Sequence, residues 1–207
     1  MDLFDDTTHS LHKPINRLPN DGLVHYYGPV IPGVESNKFF QILLNDIQWE
    51  HDVAFMYGKK IVTPRKVAWY GDKPYQYTYS NNTKTALPWI EVLSTLKTIA
   101  EKASGEQFNA CLLNLYHNGS EGMAWHSDDE KELTTNSAIG SLSFGAQRKF
   151  SFKHKQSKDT VSLYLEHGSL LIMTGRTQKN WQHRLPPTKK INQARINLTF
   201  RRLNEPS

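Results

Sequence analysis

The chain is poor in cysteine and has no long apolar run. Its single cysteine, Cys111, lies in the apolar segment Ala110–Leu113, so an internal disulfide is impossible and a buried thiol is expected. No stretch is long enough to cross a bilayer, and Met1–Asp6 lacks the basic and apolar regions of a secretory signal. These absences argue against a disulfide scaffold and a membrane-spanning protein. They favour an intracellular location, cytoplasmic in a bacterium and nuclear in a eukaryote.

Length and charge are those of one domain with a polyanionic partner. The 207 residues, 38% of them hydrophobic, suffice for a single core. The net charge of +5 is modest, but basic residues recur in separate clusters along the chain, which favours nucleic acid. Solvated lysines in turns would account for about half of them. The clusters are Lys59-Lys60, Arg65-Lys66, Arg148-Lys149, Lys153-His154-Lys155, Lys189-Lys190 and Arg201-Arg202.

His126 and Asp128 form a His-x-Asp pair. In an extended strand side chains alternate between faces, so these two project to the same side and can bind one metal ion. A third ligand must come from elsewhere, and His183 stands at an expected strand end. Two histidines and one carboxylate are the facial arrangement of non-haem Fe(II), which leaves coordination positions open. The alternative is a chance match, because the motif is short and most histidines are surface or hydrogen-bonded residues.

The segment Arg195–Arg201 has the alternation of a strand with one apolar and one polar face. Ile196, Leu198 and Phe200 share one face, and Arg195, Asn197, Thr199 and Arg201 share the other. If the polar face points into a barrel, the two arginines require an anionic ligand, since guanidinium groups bind carboxylates with two hydrogen bonds. The alternative is an exposed face with solvated arginines.

The remaining pattern predicts an α+β, mostly β domain. Residues 1–22 are polar and aperiodic, and we expect them to be mobile. A strand is expected at Leu23–Tyr27, a helix at Glu35–Asp46 and a second helix from near Pro88 to Gly105. From Phe108 onward short alternating strands dominate, which is typical of a two-sheet antiparallel barrel.

An aromatic-rich segment lies between the two expected helices, at about residues 50–82. Its tyrosines, Tyr75, Tyr77 and Tyr79, alternate and are accompanied by lysine and arginine. A nucleobase drawn out of a duplex needs an aromatic face to stack on, which contributes about 1–3 kcal/mol per base. The segment therefore suits a base-binding lid, with Tyr79 and His126 on either side of the base. An ordinary half-buried strand would show the same alternation.

Taken together, these motifs resemble the AlkB family from about Leu23 onward. That family has the ordered pattern N-x-Y, H-x-D, a distal His and R-x-N-x-x-x-R. The corresponding residues are Asn114-Leu115-Tyr116, His126-Ser127-Asp128, His183 and Arg195-Ile196-Asn197-Leu198-Thr199-Phe200-Arg201. Because several independent motifs agree in type and spacing, the resemblance is specific.

The resemblance implies a double-stranded β-helix, or jelly roll, with flanking helices and an N-terminal nucleotide-recognition lid. The domain would span 23–204, with the lid at about 50–82 and the jelly-roll core at about 108–203. Fe(II) would be bound by His126, Asp128 and His183. The co-substrate 2-oxoglutarate, used together with O2, would pair its far carboxylate with Arg195. The remaining residues implied around this co-substrate are Asn114, Tyr116, Asn197 and, nearer the metal, Arg201.

The resemblance also implies oxidative repair of N-alkylated DNA bases by a monomer with no membrane association. Tyr77 would offer its hydroxyl near the base, Arg65 would reach a phosphate, and Tyr57 stands where relatives carry a residue that fills the gap left by the base. Asp129 and Glu130 would attract a positively charged N1-methyladenine or N3-methylcytosine. The alternatives are an RNA demethylase, a protein hydroxylase and a nucleic-acid-binding barrel without catalysis.

Overall fold

The computed structural model describes residues 14–56, 59–79 and 82–204, with side chains omitted at 54–60 and 77–84. The helices are α1 (Gly33–Asp46), α2 (Glu91–Ser104) and α3 (Thr177–Asn180). The strands are β1 (Leu23–Pro29), β2 (Glu50–Met56), β3 (Lys59–Gly71), β4 (Gln76–Tyr79), β5 (Asn82–Thr85), β6 (Leu87–Pro88), β7 (Ala110–Tyr116), β8 (Met123–His126), β9 (Ile139–Gly145), β10 (Arg148–His154), β11 (Thr160–Leu165), β12 (Ser169–Thr174), β13 (Trp181–Leu185) and β14 (Arg195–Arg201).

The strands form a large and a small antiparallel sheet that face each other. The large sheet has the order β1-β12-β9-β14-β7-β3-β2, with β6 paired in parallel to β3. The small sheet has the order β11-β10-β13-β8. Non-consecutive neighbours in both sheets place the polar face of β14 opposite β8 and β13. The prediction of a mostly β jelly roll is confirmed.

Helices α1 and α2 cover the outer face of the large sheet. Leu43 of α1 and Leu93 and Leu96 of α2 are fully buried there, in one cluster with Leu142 of β9. The second helix ends as predicted, because Gly105 adopts a φ of 74° and its N–H donates to Glu101 O. The first begins two residues earlier than predicted, at Gly33. Within the described ranges, no helix is long and apolar enough to cross a membrane.

A second apolar cluster fills the space between the two sheets. Phe150 and Phe152 of β10 meet Leu171 and Met173 of β12, with Trp181 buried beside them. Alternation along the strands aims these side chains inward. This cluster closes one part of the barrel and leaves the other to polar residues.

Residues 14–22, in the segment expected to be mobile, pack against this second cluster. Leu18 is buried in it, and the Asn16 side chain accepts from Val24 N and donates to Gly22 O. Trp181 Nε1 donates to Asn20 O. These contacts fix residues 14–22 to the domain, while 1–13 lie outside the described residues.

The segment expected to be a lid divides into two parts. Strands β2 and β3 extend the edge of the large sheet, and β4 and β5 form a separate two-stranded hairpin. Within the described part of this segment, the pair β4 and β5 is separate from the main sheets. Strands β2 and β3 instead belong to the large sheet, so they form part of the domain itself.

Replacing Gly145 by alanine is expected to destabilise the fold by at least about 2 kcal/mol. Gly145 has a φ of 82°, and an added Cβ would lie 2.3 Å from Ala194 O and 2.8 Å from the Phe40 ring. Gly33→Ala is the control, since a Cβ there meets nothing within 4 Å. Denaturant unfolding of both variants measures the difference, and equal midpoints would contradict the prediction.

Candidate metal and anion site

Two paired strands bring the two candidate metal-binding histidines together. His126 of β8 stands directly opposite His183 of β13, and their ring centroids are 4.2 Å apart. Asp128 follows the end of β8, in a turn held from both sides. Ser127 Oγ donates to Trp181 O at 2.9 Å, and Asp128 N donates to the Gln178 Oε1 at 3.0 Å. The turn aims the Asp128 carboxylate back toward the histidines.

The three side chains offer donor atoms at metal-binding spacing. Asp128 Oδ1 lies 3.7 Å from His126 Nε2 and 3.9 Å from His183 Nε2, and the three donor atoms lie within 4.8 Å of one another. His126 Nδ1 is 2.9 Å from Ala124 O, a contact that requires the proton on Nδ1. The lone pair of Nε2 therefore faces the cluster, as metal binding requires.

The protonation states also suit a metal ion. Burial would raise the pKa of Asp128, but the charges of Arg201, His183 and His126 outweigh it and lower the pKa to about 2. Burial, reinforced by the charge of His126, lowers the pKa of His183 to about 3. At neutral pH Asp128 is therefore a carboxylate and His183 is a neutral imidazole, and both have lone pairs available for a metal ion.

Arg201 occupies the far side of the Asp128 carboxylate. Its Nη2 lies 2.9 Å from Asp128 Oδ2, and both side chains are about 95% buried. Oδ2 is thereby held by the guanidinium, and Oδ1 is left for the histidine side. The sequence placed Arg201 beside a co-substrate; this contact also gives it a role in orienting Asp128.

Arg195 is a buried cation without a carboxylate partner. It is 2% exposed, and its Nη2 donates to Ser143 Oγ at 2.9 Å. Its Nε has no hydrogen-bond partner, and it forms no ion pair with any described aspartate or glutamate. Burial lowers the pKa of Arg195 to about 10, so it is still charged at neutral pH. A buried, unpaired guanidinium is costly unless an anion binds it.

The residues predicted to surround Arg195 stand on the neighbouring strand β7, except for Asn197, which is on β14 itself. Arg195 pairs with Tyr116 and Asn197 pairs with Asn114 in the β14–β7 ladder. The buried Asn114 Oδ1 has no hydrogen-bond partner, so it can accept from a ligand. Asn197 Nδ2 instead donates to Ser141 Oγ and Leu142 O, which leaves its amide nitrogen occupied by β9.

These side chains line one inner cavity between the sheets. Its volume is about 50 Å³, which is several times the space that one water molecule needs. Its polar lining consists of Asn114, Tyr116, His126, Asp128, Ser141, His183, Arg195, Asn197, Thr199 and Arg201. A single space therefore joins the donor cluster to the unpaired arginine.

An outer cavity of about 180 Å³ adjoins the inner one and shares His126, Asp128 and Arg201 with it. Its walls are mostly apolar, with Val67, Trp69, Leu112 and Trp125 among them. Asp52, Arg65 and Glu130 supply charge. A planar group that enters it would lie against the donor cluster.

The predicted substrate residues are distributed differently from expectation. Arg65, expected to reach a phosphate, is 8% exposed and forms an ion pair with Asp52 inside the outer cavity. Glu130 lines this cavity, but Asp129 is 66% exposed and faces Lys155, with 3.7 Å between Oδ2 and Nζ. The two neighbouring carboxylates therefore differ in position, since Glu130 lines the outer cavity and Asp129 does not.

Three tyrosines were predicted at the substrate: Tyr77 and Tyr79 beside the base, and Tyr57 in the gap that the base leaves. Tyr57 lies outside the described residues. Tyr77 and Tyr79 stand in β4, and their side chains lie outside the described part.

Four residues at the site carried no sequence signal. Asp52 pairs with Arg65, Met123 lines both cavities, Gln178 holds the Asp128 backbone, and Ser127 ties the same turn to β13. Each acts through a contact between segments distant in sequence, for which no local pattern exists. Ser127 lies inside the His-x-Asp motif, but nothing in the motif indicated its contact with Trp181.

Comparisons with known proteins agree with this site. The profile of the 2OG-Fe(II) oxygenase superfamily matches residues 22–201. The chain is 37% identical to the DNA oxidative demethylase ALKBH2 of Bos taurus, over 90% of this chain and 71% of the relative. It is 36% identical to the Homo sapiens ALKBH2, over 94% of this chain and 79% of that protein.

Two further comparisons extend the match. The chain is 40% identical to the alpha-ketoglutarate-dependent dioxygenase alkB homolog 3 of Homo sapiens, over 81% of this chain and 61% of the relative. The solved structure of OsALKBH1 superposes with a TM-score of 0.66 at 16% identity, over 91% of this chain and 100% of that one. At that identity the superposition supports the fold alone.

Proposed function

The chain belongs to the 2OG-Fe(II) oxygenase superfamily, and from that membership we propose that it repairs alkylated DNA by oxidative demethylation. As a member it is a dioxygenase that uses Fe(II), 2-oxoglutarate and O2. The observation that carries the proposal is one continuous space. It contains a metal-binding cluster, a buried arginine without a carboxylate partner and an outer cavity large enough to admit a planar group.

In this proposal His126, Asp128 and His183 hold Fe(II). The donor set fits, because it combines two imidazole nitrogens and one carboxylate oxygen. Arg201 keeps the carboxylate turned toward the histidines, and Gln178 and Ser127 fix the turn that carries it. When bound, the iron with 2-oxoglutarate and O2 supplies the oxidation of an N-alkyl carbon, which then leaves as an aldehyde.

Arg195 binds the far carboxylate of 2-oxoglutarate. Its guanidinium is charged, buried and free of any described carboxylate, so a dicarboxylate would relieve the cost of burying it. Tyr116 and Asn114, on the strand paired with β14, line the same cavity. The Tyr116 hydroxyl and the Asn114 side-chain NH2 are the groups that would donate hydrogen bonds to the co-substrate oxygens. The co-substrate would thereby lie between the arginine and the metal ligands.

The outer cavity receives the damaged base. Its apolar walls suit the faces of a nucleobase, and the Glu130 carboxylate suits the positive charge of N1-methyladenine or N3-methylcytosine. We retain Tyr77 and Tyr79 as base contacts and Tyr57 as the residue that fills the gap in the stack, on the resemblance alone. Arg65 is paired with Asp52 inside this cavity, and Asp129 faces Lys155 outside it. The proposal therefore gives Arg65 no phosphate contact and Asp129 no base contact.

The test is demethylation of an oligonucleotide with a single N1-methyladenine, followed by mass spectrometry. With Fe(II), ascorbate and 2-oxoglutarate in air, the mass is expected to fall by one methylene-equivalent as the methyl group is replaced by hydrogen. A reaction with metal chelator is the control and should leave the mass unchanged. Succinate formed over an unchanged oligonucleotide would contradict DNA repair, and the same assay on methylated RNA or peptide would then separate the two alternative hydroxylases.

A nucleic-acid-binding barrel without catalysis would not need this cluster. Such a protein has no use for three metal donors and an unpaired buried arginine in one cavity, since each costs stability. We also propose that the protein is a monomer located inside the cell, in the cytoplasm if it is bacterial and in the nucleus if it is eukaryotic. The single cysteine, which is buried, supports an intracellular location.

A further inference from the structure

The outer face of the small sheet is basic and aromatic. In this sheet Phe150, Phe152 and His183 point inward, so alternation sends Lys149, Lys153 and Arg184 outward. The contact between Ser151 Oγ and Ser162 Oγ, from neighbouring strands, confirms a shared outer face. No strand of the sheet contributes an aspartate or glutamate to it.

Three of these outward residues form a compact group, which we call the platform: Trp125, Lys153 and Arg184. Lys153 Nζ lies 4.6 Å and Arg184 Cζ lies 4.5 Å from the centroid of the Trp125 ring. Cation–π contacts at this distance contribute about 0.5–1 kcal/mol each at exposed sites and restrict the two long side chains. The cations are therefore held near each other despite their like charge.

Neither cation of the platform is neutralised within the described chain. Lys153 and Arg184 form no ion pair with a described carboxylate, and the buried Arg184 Nε has no hydrogen-bond partner. Two adjacent, oriented and unpaired cations suit an anion with several oxygens. The phosphodiester backbone presents such oxygens on both sides of every base, and roughly half to two-thirds of protein–DNA hydrogen bonds go to phosphate and sugar.

The platform adjoins the proposed substrate cavity. Trp125 lines the outer cavity together with its neighbour His126, and Arg184 follows His183 in the chain. A nucleotide whose base enters that cavity has a phosphate on each side of it. The chain thus places two cations against Trp125, which is a wall of that cavity.

We propose that the platform binds the phosphodiester backbone of the substrate strand beside the base that enters the outer cavity. This inference rests on the proposed function, since it takes the outer cavity as the base site. The contact is electrostatic and independent of base sequence, and Trp125 acts by positioning the two cations. It assigns the small sheet, in addition to the aromatic segment at 50–82, to substrate binding.

The test is fluorescence anisotropy of a labelled single-stranded oligonucleotide with one N1-methyladenine, using the full-length protein over a range of salt concentrations. The variant is Lys153→Gln/Arg184→Gln. The control, Lys38→Gln/Lys102→Gln, removes the same charge from exposed positions on α1 and α2. Because single strands lose about 0.7 in the slope of log K against log salt per phosphate contact, the double variant should lose roughly 1.4.

The dissociation constant of the platform variant should rise about tenfold at low salt, whereas the control should change little. Arg184→Lys should recover most of the salt slope relative to Arg184→Gln, which also shows that the fold is intact. Demethylation of the free N1-methyldeoxyadenosine nucleoside should be the same in the variant and the wild type, because the nucleoside has no flanking phosphate.

Three results discriminate the ideas. If the slope of log K against log salt is unchanged in the double variant, or falls equally in the control, the platform proposal is overturned even if DNA is demethylated. A lost slope in a protein that demethylates no DNA supports the platform as a strand-binding surface and contradicts the proposed repair function. A lost slope together with retained nucleoside turnover supports both.

Discussion

The Asp128→Asn protein is expected to bind no iron at micromolar concentrations and to lose at least about 1,000-fold in demethylation rate. The substitution keeps the size of the side chain and an oxygen for Arg201 to contact, but it removes the charge that the metal requires. Since Arg201 would lose its charged partner, a moderate loss of stability is also expected. Iron stoichiometry by elemental analysis, measured beside the demethylation rate, separates metal loss from slow chemistry.

Asp129→Asn is the matched control for this experiment. It makes the same chemical change one residue along, at an exposed carboxylate that faces Lys155 and does not line the outer cavity. It should retain one iron per chain and most of the rate. DNA binding should survive in both variants, since the basic residues lie elsewhere. If the Asp128→Asn protein held iron as tightly as the wild type, Asp128 would not be a ligand.

The second large effect concerns Arg195. Replacing it by methionine should raise the 2-oxoglutarate concentration needed for half-maximal rate by about 100-fold, or ~2.7 kcal/mol, because the far carboxylate loses its charged partner. In the cofactor-free protein, however, the same change removes a buried cation that has no carboxylate partner. The unfolding free energy is therefore expected not to fall.

A weaker affinity for 2-oxoglutarate without a loss of unfolding free energy distinguishes a ligand-binding arginine from a structural one. A structural arginine would lower stability on removal, as expected for Arg148, whose Nη2 donates to the carbonyls of Gly119, Glu121 and Pro186. Arg202→Ala, at an exposed position just after β14, is the control for co-substrate dependence. An unchanged 2-oxoglutarate requirement in the Arg195→Met protein would remove Arg195 from the site.

Several features of the fold followed from local pattern. The alternation in Arg195–Arg201 placed Arg195 and Arg201 on one face of β14, and the structure has both lining the inner cavity. The end of α2 at Gly105 followed from the need for a residue that tolerates positive φ. Such features depend on backbone periods of two or 3.6 residues, which a sequence displays directly.

Other expectations were altered by contacts that no local pattern encodes. Arg65 is committed to Asp52, Arg201 to Asp128 and Asp129 faces Lys155. A charged side chain binds whichever opposite charge the fold brings near, and desolvation makes that choice decisive once both are buried. The buried pair of Arg65 and Asp52 is such a case, whereas Asp129 and Lys155 are more exposed and Asp129 does not line the outer cavity.

The sequence by itself determined the chemistry of the donor set, the strand character of its carriers and the family resemblance that united them. Only the tertiary structure decided which cations remained unpaired: Arg195 in the inner cavity, and Lys153 and Arg184 around Trp125 on the outer face. Charge type is a property of the residue, but charge compensation is a property of three-dimensional neighbours. A site for an anion forms where the fold leaves a cation without a carboxylate partner.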